Sequence, residues 1–143
     1  MKNHRPDSLV KVMAAVIEKD GKVLTARRRK GGLFGGLWEF PGGKLKDGED
    51  PARGLERELA EELEIRIRAE EFLCSVPYRS PALSIELLAY RAIHISGEFN
   101  PIDHDEIRWV EPSGLDESVF AEPDRPIVRL LISRASRLKP GRP

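Results

Sequence analysis

Residues 43–65, with the sequence GKLKDGEDPARGLERELAEELEI, decide how this chain folds. Leucine recurs at every fourth position in the second half of the stretch, which places the repeat on one face of a helix. The repeated residues are Leu55, Leu59 and Leu63. Asp50 is a preferred N-cap residue, and Pro51 suits the first helical position. The pattern predicts a helix over residues 51–63 with an apolar inner face and a charged outer face.

Three carboxylates lie on the charged face of this helix. Glu58, Glu61 and Glu62 stand at i, i+3 and i+4, so their side chains project from one side and repel one another. A hard divalent cation such as Mg²⁺ would offset this repulsion, because Mg²⁺ is bound by carboxylate oxygens, waters and substrate phosphates. A solvated acidic face has the same pattern, so these residues alone leave both interpretations open.

The residues that precede the helix supply further candidates. Gly42 and Gly43 lie in a turn where the backbone can approach a ligand closely, so a free carbonyl there could join the carboxylates as a metal ligand. Glu49 lies eight residues before Arg57, and an ion pair between them would tie the incoming loop to the helix. Glu49 is equally suited to favour the positive end of the helix dipole.

Residues 43–65 resemble the Nudix box, GX5EX7REUXEEXGU, in which U is an apolar residue. The matching positions are Gly43, Glu49, Arg57, Glu58, Leu59, Glu61, Glu62 and Ile65. The chain departs from the pattern at Glu64, where the family has a glycine that ends the helix in the left-handed conformation. A residue with a Cβ adopts that conformation at ~1 kcal/mol or more. The departure puts the exit of the helix in question and adds a carboxylate beside the acidic cluster.

The resemblance extends to the MutT-like branch, the nucleoside triphosphate pyrophosphohydrolases. It covers roughly residues 10–131 and includes the segment WEFPGG at 38–43, the hairpin that ends in Ala26-Arg27-Arg28, and the segments 103–110 and 122–126. It implies an α/β (α+β) fold, a Nudix-type α/β/α sandwich with a mixed β-sheet between helices. It also implies water attack on the β-phosphorus of a nucleoside triphosphate, which gives a nucleoside monophosphate and pyrophosphate.

The resemblance assigns roles to the box. Glu58, Glu61 and Glu62 are expected to bind Mg²⁺, or Mn²⁺ as a substitute, together with the Gly42 carbonyl. The three glutamates and Arg57 are expected to act in catalysis. Two further residues have structural roles in the motif, and these are Gly43 and Glu49.

Residues outside the box are expected to meet the substrate. Arg28 matches a position that contacts phosphate or ribose, and Glu39 matches a position in the same pocket, although it could simply pair with Arg28. An additional catalytic acid aligns best with Asp103, with Glu106 as the alternative. His104 adjoins this acid and is a candidate for tuning its charge. Arg27, Arg29 and Lys30 are expected to face solvent, and Trp38 and Trp109 to lie in the core.

Asp124 matches the position that hydrogen-bonds the base. A carboxylate accepts hydrogen bonds from exocyclic amino groups but donates none unless it is protonated, which favours cytosine-like or adenine-like bases. A simple N-cap of the last helix is the other interpretation of Asp124.

Outside the box helix, the pattern predicts strands and one more helix. The strands are residues 8–18 and 22–26, joined as a hairpin, then 38–40, 65–76, 83–95 and 107–110. Pro41-Gly42-Gly43 is expected to stop the third strand, and residues 31–36 and 77–81 to form loops. The last helix is expected over residues 124–138, with Ile127, Leu130, Leu131 and Ile132 facing inward. We expect one domain over residues 1–143, with flexible tails at about 1–7 and 139–143.

The charge balance excludes some functions. The 143 residues carry 24 basic and 24 acidic side chains, a formal net charge of zero. This argues against a protein that coats nucleic acid through bulk positive charge, but not against a phosphate ligand. The charges are sorted: residues 47–64 hold eight acids and two arginines, and residues 125–143 hold six basic residues and no acid.

Localisation is expected to be cytoplasmic. The longest apolar run, residues 12–17, is far short of the ~20 residues that cross a bilayer, and the first residues do not resemble a secretory signal. A single cysteine, Cys74, cannot form an intrachain disulfide and is expected in a buried strand.

Several alternatives stay open. The box does not distinguish triphosphates from ADP-ribose or dinucleoside polyphosphates, and a non-catalytic nucleotide-sensing module is a further possibility. A monomer and a homodimer are equally compatible with the sequence.

Overall fold

A computed structural model describes residues 9–138, so the two predicted tails, at about 1–7 and 139–143, lie outside the described residues. A seven-stranded mixed sheet and two helices make up this part of the chain. The strands are β1 (Val10–Lys19), β2 (Lys22–Arg28), β3 (Trp38–Glu39), β4 (Gly42–Lys44), β5 (Arg66–Arg79), β6 (Ser84–Ser96) and β7 (His104–Val110). The helices are α1 (Pro51–Leu63) and α2 (Arg125–Leu138).

Strand β1 is the centre of the sheet. It runs parallel to β6, with Val10 beside Ile85 and Glu18 beside Ile93. It is antiparallel to β4, and its far end forms the predicted hairpin with β2. Strand β2 in turn pairs with β3 and β7, and β6 pairs with β5. The strands that carry the candidate site residues are thereby brought to one side of β1.

The alternation of side chains along β1 divides the core into two layers. Met13, Ala15 and Ile17 pack with the leucines of α1, whereas Ala14 and Val16 pack in the cluster that contains the buried residues of α2. Because successive strand residues point to opposite faces, one apolar strand serves both layers. The predicted α/β/α sandwich is confirmed.

Helix α2 buries one stripe of side chains. Ile127 and Leu131 are buried as predicted, and Leu130 and Ile132 are half-buried. Val128 is fully buried although it was not predicted to face inward. Within residues 9–138, no helix is long and apolar enough to cross a membrane.

Some strand boundaries differ from the predictions. The third strand ends before Pro41 as predicted, but Gly42–Lys44 forms a further short strand, β4, against β1, which was not predicted. The predicted loop at 77–81 is shorter, since β5 continues through Pro77 to Arg79. Strand β5 is at the edge of the sheet, where proline is tolerated. Strand β7 begins at His104 rather than at residue 107.

The end of α1 explains how the chain accommodates Glu64. Glu64 adopts the left-handed conformation, with φ 59° and ψ 36°, and its N–H donates to the Ala60 carbonyl at 3.2 Å. Its carboxylate accepts a hydrogen bond from Asn100 Nδ2 at 2.7 Å. Glu64 therefore adopts the backbone conformation of the motif glycine, and its side chain contacts the loop after β6.

The loop after β6 also caps the helix with backbone groups. The Asn100 N–H donates to the Leu63 carbonyl at 3.0 Å, and the Ile102 N–H donates to the Glu62 carbonyl at 3.2 Å. These bonds satisfy carbonyls that a helix end leaves without partners. They also fix the path of the chain just before Asp103.

We expect Glu64→Gly to stabilise the protein by about 1 kcal/mol in an Asn100→Ala background, because the left-handed strain is removed and no side-chain bond remains to be lost. In the wild-type background the gain should be smaller by about 0.5–1.5 kcal/mol, the value of one hydrogen bond. Denaturant unfolding of the four proteins in this cycle measures the difference. Equal effects in both backgrounds would show that the Glu64–Asn100 contact contributes nothing.

Candidate active site

Arg57 is the central cation of the acidic helix. Its Nε donates to Glu49 Oε2 at 2.7 Å and its Nη2 to Glu49 Oε1 at 2.9 Å, a bidentate pair. Nη2 also donates to the Lys44 carbonyl at 3.2 Å. Nη1 donates to Glu58 Oε2 at 3.1 Å and to Glu61 Oε1 at 3.2 Å. The predicted Glu49–Arg57 pair is present and joins the loop after β4 to α1.

This pairing determines the ionisation state of Glu49. The hydrogen bonds from Arg57, together with one from the Lys46 N–H at 3.0 Å, lower the pKa of Glu49 to about 2. The same contact raises the pKa of Arg57. The helix is capped by Asp50, whose carboxylate accepts from the Arg53 N–H at 3.2 Å. Glu49 thus serves as the partner of Arg57 and Asp50 as the cap.

Gly42 and Gly43 are glycines because of close packing. A Cβ at Gly43 would overlap the Glu58 carboxylate, and a Cβ at Gly42 would overlap the backbone of Met13 in β1. Strand β4 therefore lies between β1 and α1 with no space for side chains on these sides. The backbone of β4 is in direct contact with a box carboxylate, as shared ligation of an ion by a carbonyl and a carboxylate would require.

Glu62 is the most perturbed of the three predicted ligands. Its partial burial, followed by repulsion from Glu58, Glu39 and Asp103, raises its pKa to about 8, and Arg28 opposes the shift. At neutral pH a carboxyl group in this position holds its proton unless a cation compensates the surrounding charge. Perturbed groups in a cleft mark functional sites more often than ordinary surface acids.

The three helix carboxylates have different surroundings. Arg57 holds Glu58 and Glu61, whereas Glu62 lines a cavity. Within residues 9–138, no three acidic, histidine or cysteine side chains converge closely enough to hold a metal ion as they stand. The donor set nevertheless fits a hard divalent cation in its chemistry, because it consists of carboxylate oxygens whose mutual repulsion a cation would relieve. The ligand set Glu58, Glu61, Glu62 and Gly42 remains a prediction.

Two adjoining cavities meet at Glu62. The charged cavity, of about 360 Å³, has mainly polar walls. Its lining residues are Arg28, Arg29, Lys30, Gly31, Glu39, Glu62, Asp103 and His104. The walls of this cavity carry both cationic and acidic side chains, which suits an anionic ligand that binds together with a metal ion.

The apolar cavity, of about 300 Å³, lies on the other side of Glu62. It shares Arg28 and Glu39 with the charged cavity. Its walls include Leu33, Phe34, Phe40, Ile85, Leu87 and Pro123, with Asp124 among them. An apolar chamber with Asp124 in its wall, next to a charged cavity, has the polarity profile of a nucleoside joined to phosphates.

Glu39 links the two cavities. Its Oε1 accepts from Arg28 Nη1 at 3.1 Å, and its Oε2 lies 2.8 Å from His104 Nε2. The negative charge of Glu39 also acts on Glu62 and on Asp124, whose pKa values it helps to raise. The pairing of Glu39 with Arg28 that the sequence left open is therefore present.

Asp124 is buried, and its Oδ2 accepts a hydrogen bond from the Phe40 N–H at 2.9 Å. Two effects raise the pKa of Asp124 well above the usual range for aspartate: burial is the larger, and the charge of Glu39 is the smaller. Asp124 bonds to the backbone of Phe40, just after β3, rather than to the first turn of α2, so the interpretation as a simple helix cap does not describe this contact. Because a protonated carboxyl group donates as well as accepts, the preference for cytosine-like or adenine-like bases depends on the protonation of Asp124 and stays a prediction.

The structure separates the two candidates for the additional acid. Asp103 lines the charged cavity and acts on Glu62. Glu106 forms ion pairs with Arg27 at 3.4 Å and with Arg108 at 2.9 Å. Both arginines lie over the ring of Trp38, which is buried. Asp103 is therefore the acid that β7 and its preceding loop bring to the cavity.

Some residues differ from their predicted environments. Arg29 and Lys30, expected to face solvent, are exposed but line the charged cavity, and Arg29 donates to the Ile102 carbonyl at 3.2 Å. His104 contacts Glu39 and is buried. Phe34 was not predicted as a site residue, although an aromatic residue within the glycine-rich segment was an available signal. Cys74, expected to be buried, is half-buried in β5.

The fold is that of the Nudix class of structures. The solution structure of the E. coli ORF135 protein superposes with a TM-score of 0.79 at 32% identity, over 91% of this chain and 94% of that one. A MutT NUDIX hydrolase from Burkholderia pseudomallei superposes with a TM-score of 0.74 at 28% identity, over 85% and 96% of the two chains.

Sequence relatives lead to the same class. A CTP pyrophosphohydrolase of Escherichia coli K12 is 33% identical over 130 residues, which is 90% of this chain and 96% of that protein. An 8-oxo-dGTP diphosphatase of Haemophilus influenzae is 29% identical over 126 residues, 87% and 93% of the two chains. The NUDIX domain family matches residues 12–130. The chain belongs to the Nudix hydrolase family, in its MutT-like branch, as the box predicted.

The raised pKa of Glu62 has a consequence for stability. Between its usual pKa near 4.5 and about 8, the folded state holds a proton that the unfolded state has released. The unfolding free energy of the metal-free protein should therefore fall as pH rises through this window. Glu62→Gln removes this contribution, so at pH 8.5 the variant should be more stable than wild type by at least about 1 kcal/mol.

Urea unfolding in EDTA at pH 5 and pH 8.5 measures this difference. Glu61→Gln is the matched control, because the Glu61 side chain is 57% exposed and should leave the pH dependence unchanged. Addition of Mg²⁺ should restore the stability of wild type at pH 8.5 and leave Glu62→Gln largely unaffected. Identical pH dependence of wild type and Glu62→Gln would contradict the assignment.

Proposed function

We propose that this protein hydrolyses nucleoside triphosphates to nucleoside monophosphates and pyrophosphate, with Mg²⁺ or Mn²⁺ bound at the box helix. The observation that carries the proposal is the pair of adjoining cavities, one apolar and one charged, with Glu62 and Arg28 in the walls of both. A nucleoside fits the chemistry of the first cavity, and a metal-bound polyphosphate fits that of the second.

Each set of residues has a role in this proposal. Glu58, Glu61 and Glu62, with the Gly42 carbonyl, would hold the ion, and Arg57 would keep two of these carboxylates in place. A bound Mg²⁺ supplies charge screening, orients a water molecule for attack at phosphorus and lowers its pKa.

The remaining residues would bind the substrate and accept a proton from the attacking water. Arg28 would bind phosphate oxygens through its guanidinium fork, and Glu39 would hold Arg28. Asp103 would accept a proton from the attacking water, because its carboxylate lines the charged cavity.

The relatives support a triphosphate substrate. The names of the E. coli and H. influenzae proteins specify CTP and 8-oxo-dGTP. These differ in base but share the triphosphate, so we propose a nucleoside triphosphate as the substrate class and a role in nucleotide-pool sanitation.

We also propose a cytoplasmic protein without direct nucleic-acid binding, acting as a monomer or homodimer. The zero net charge supports the absence of bulk nucleic-acid binding, and the single cysteine is compatible with a reducing compartment.

A substrate panel tests the proposal. Pyrophosphate release should be measured with Mg²⁺ for canonical and oxidised ribo- and deoxyribonucleoside triphosphates, with ADP-ribose and dinucleoside polyphosphates in the same panel. We expect triphosphates to be the best substrates and Glu62→Gln to lose about 100-fold or more in kcat, because a ligand of the ion is removed. Arg53→Ala, on the exposed side of α1, is the control and should retain activity.

The panel also addresses the alternatives. Faster turnover of ADP-ribose or of a dinucleoside polyphosphate would replace the triphosphate assignment with another Nudix substrate. Tight nucleotide binding with no turnover of any compound would identify a sensing module. Full activity of Glu62→Gln would contradict metal binding by this carboxylate.

The state of Asp124 predicts the outcome of two substitutions. If Asp124 is protonated and donates a hydrogen bond to the base, Asp124→Asn keeps a donor and should retain at least about a tenth of the wild-type kcat/KM. Asp124→Leu should lose more than about 100-fold in kcat/KM, because a polar group of the base is left without a partner. The ratio of the two variants for the best substrate of the panel is the measurement. A greater loss in Asp124→Asn than in Asp124→Leu would show that the ionised carboxylate is required.

A further inference from the structure

His104 is a buried histidine that the motif does not include. Its side chain is 3% exposed, and it is the first residue of β7. It is one of three buried polar or charged residues in the described part of the chain, with Thr25 and Asp124. Its Nε2 lies 2.8 Å from Glu39 Oε2.

The other ring nitrogen of His104 has no partner. Nδ1 is the only buried side-chain nitrogen or oxygen without a hydrogen bond among residues 9–138. A proton on Nε2 leaves Nδ1 with only a bare lone pair, which is less costly to bury than an N–H without an acceptor. The Glu39 carboxylate accepts from Nε2 in this tautomer. A buried polar atom without a partner lowers stability, so its presence needs an explanation in function.

Strand pairing explains why His104 meets Glu39. Strand β2 lies between β7 and β3, and it places Arg28 opposite His104 and Ala26 opposite Glu39. A register shift between Arg27 and Arg28 separates the two arginines. Arg27 pairs with Asp105, whereas Arg28 pairs with Glu39.

We propose that His104 is a positioning residue, which fixes the Glu39 carboxylate so that Glu39 holds Arg28 between the two cavities. This inference rests on the proposed function, because it assigns to Arg28 the binding of the substrate phosphates. His104 borders the charged cavity, but neither ring nitrogen is free to bind the substrate, since Nδ1 is buried and Nε2 faces Glu39.

The surroundings of Glu39 show why it needs a second anchor. Arg28 contacts only Oε1, through a single nitrogen at 3.1 Å, and the Arg28 side chain is 44% exposed. Glu39 lies close enough to Glu62 and Asp124 for its charge to add to the effect of burial and raise the pKa of both, so these pKa values depend on the Glu39 carboxylate keeping this position. A carboxylate held at one oxygen by a mobile arginine can rotate away from these acids. The bond from His104 to Oε2 removes this freedom.

Three histidine variants test the proposal. His104→Leu removes the donor and the orphan nitrogen together, His104→Gln retains a donor near the Nε2 position, and His94→Leu is the matched control. His94 Nε2 contacts the Gly97 carbonyl at 2.8 Å, and its ring packs on Phe99, so it does not belong to the site.

We expect KM to rise roughly tenfold in His104→Leu with kcat changed less than about threefold, because Arg28 is misplaced while the metal carboxylates are intact. His104→Gln should recover most of this loss. The unfolding midpoint of His104→Leu should stay close to that of wild type, since loss of the bond to Glu39 is offset by removal of the buried, unsatisfied Nδ1. His94→Leu should leave KM unchanged.

Two results would overturn the proposal. One is a wild-type KM in His104→Leu. The other is a parallel loss of stability and activity in His104→Leu and His104→Gln, which would assign His104 to packing alone.

A measurement that does not use turnover separates this inference from the proposed function. The ¹⁵N shifts of the His104 ring should show the Nε2–H tautomer in wild type and a clear change in Glu39→Gln. A wild-type protein that turns over no nucleotide would contradict the proposed function, whereas a ring signal insensitive to Glu39→Gln would contradict the positioning contact itself.

Discussion

The guanidinium of Arg57 is the constraint on which the rest of the site depends. It bonds to the Lys44 carbonyl, to both oxygens of Glu49, and to Glu58 and Glu61, so it connects β4, the loop before α1 and two turns of the helix. Exposed ion pairs contribute little stability, but this pair is bidentate and part of a network, and its side chains are mostly covered. Without it, the acidic face of α1 would have no cation of its own, and the loop that carries Glu49 would have no fixed position.

The zero net charge of the chain results from local separation rather than from uniform mixing. The acids of α1 are compensated by Arg57 on one side only. On the other side Glu62 is partly buried and meets Glu39 and Asp103; its burial, followed by the charge of the neighbouring carboxylates, raises its pKa to about 8. Arg28, Arg29 and Lys30 border the same cavity but are exposed, so they compensate weakly. In the proposed function, a divalent cation and an anionic substrate together would satisfy both sets of charges, and neither would do so alone.

The sequence was sufficient to predict the box helix, because leucine spacing, an N-cap and a proline all act locally, and each was found as expected. It was insufficient to predict contacts between strands that are distant in the chain. The contact between His104 and Glu39 joins residues 65 positions apart, and only the pairing of β7 and β3 with β2 brings them together. Pro77 was read as the start of a loop because the edge position of β5 depends on the order of the whole sheet. Burial of Asp124, which raises its pKa, is also set by tertiary packing.

Glu64 shows how a departure from a motif can be compatible with its geometry. The motif glycine is required for a backbone conformation, and Glu64 adopts that conformation at φ 59°. The cost of a Cβ there is offset in part by the hydrogen bond to Asn100 and by the two backbone bonds from the same loop to the end of α1. Because this loop leads into Asp103, the strain at the helix end and the placement of the additional acid are coupled. The substitution therefore changes how the loop is attached to the box helix, while the carboxylates that face the cavity keep their positions on the helix.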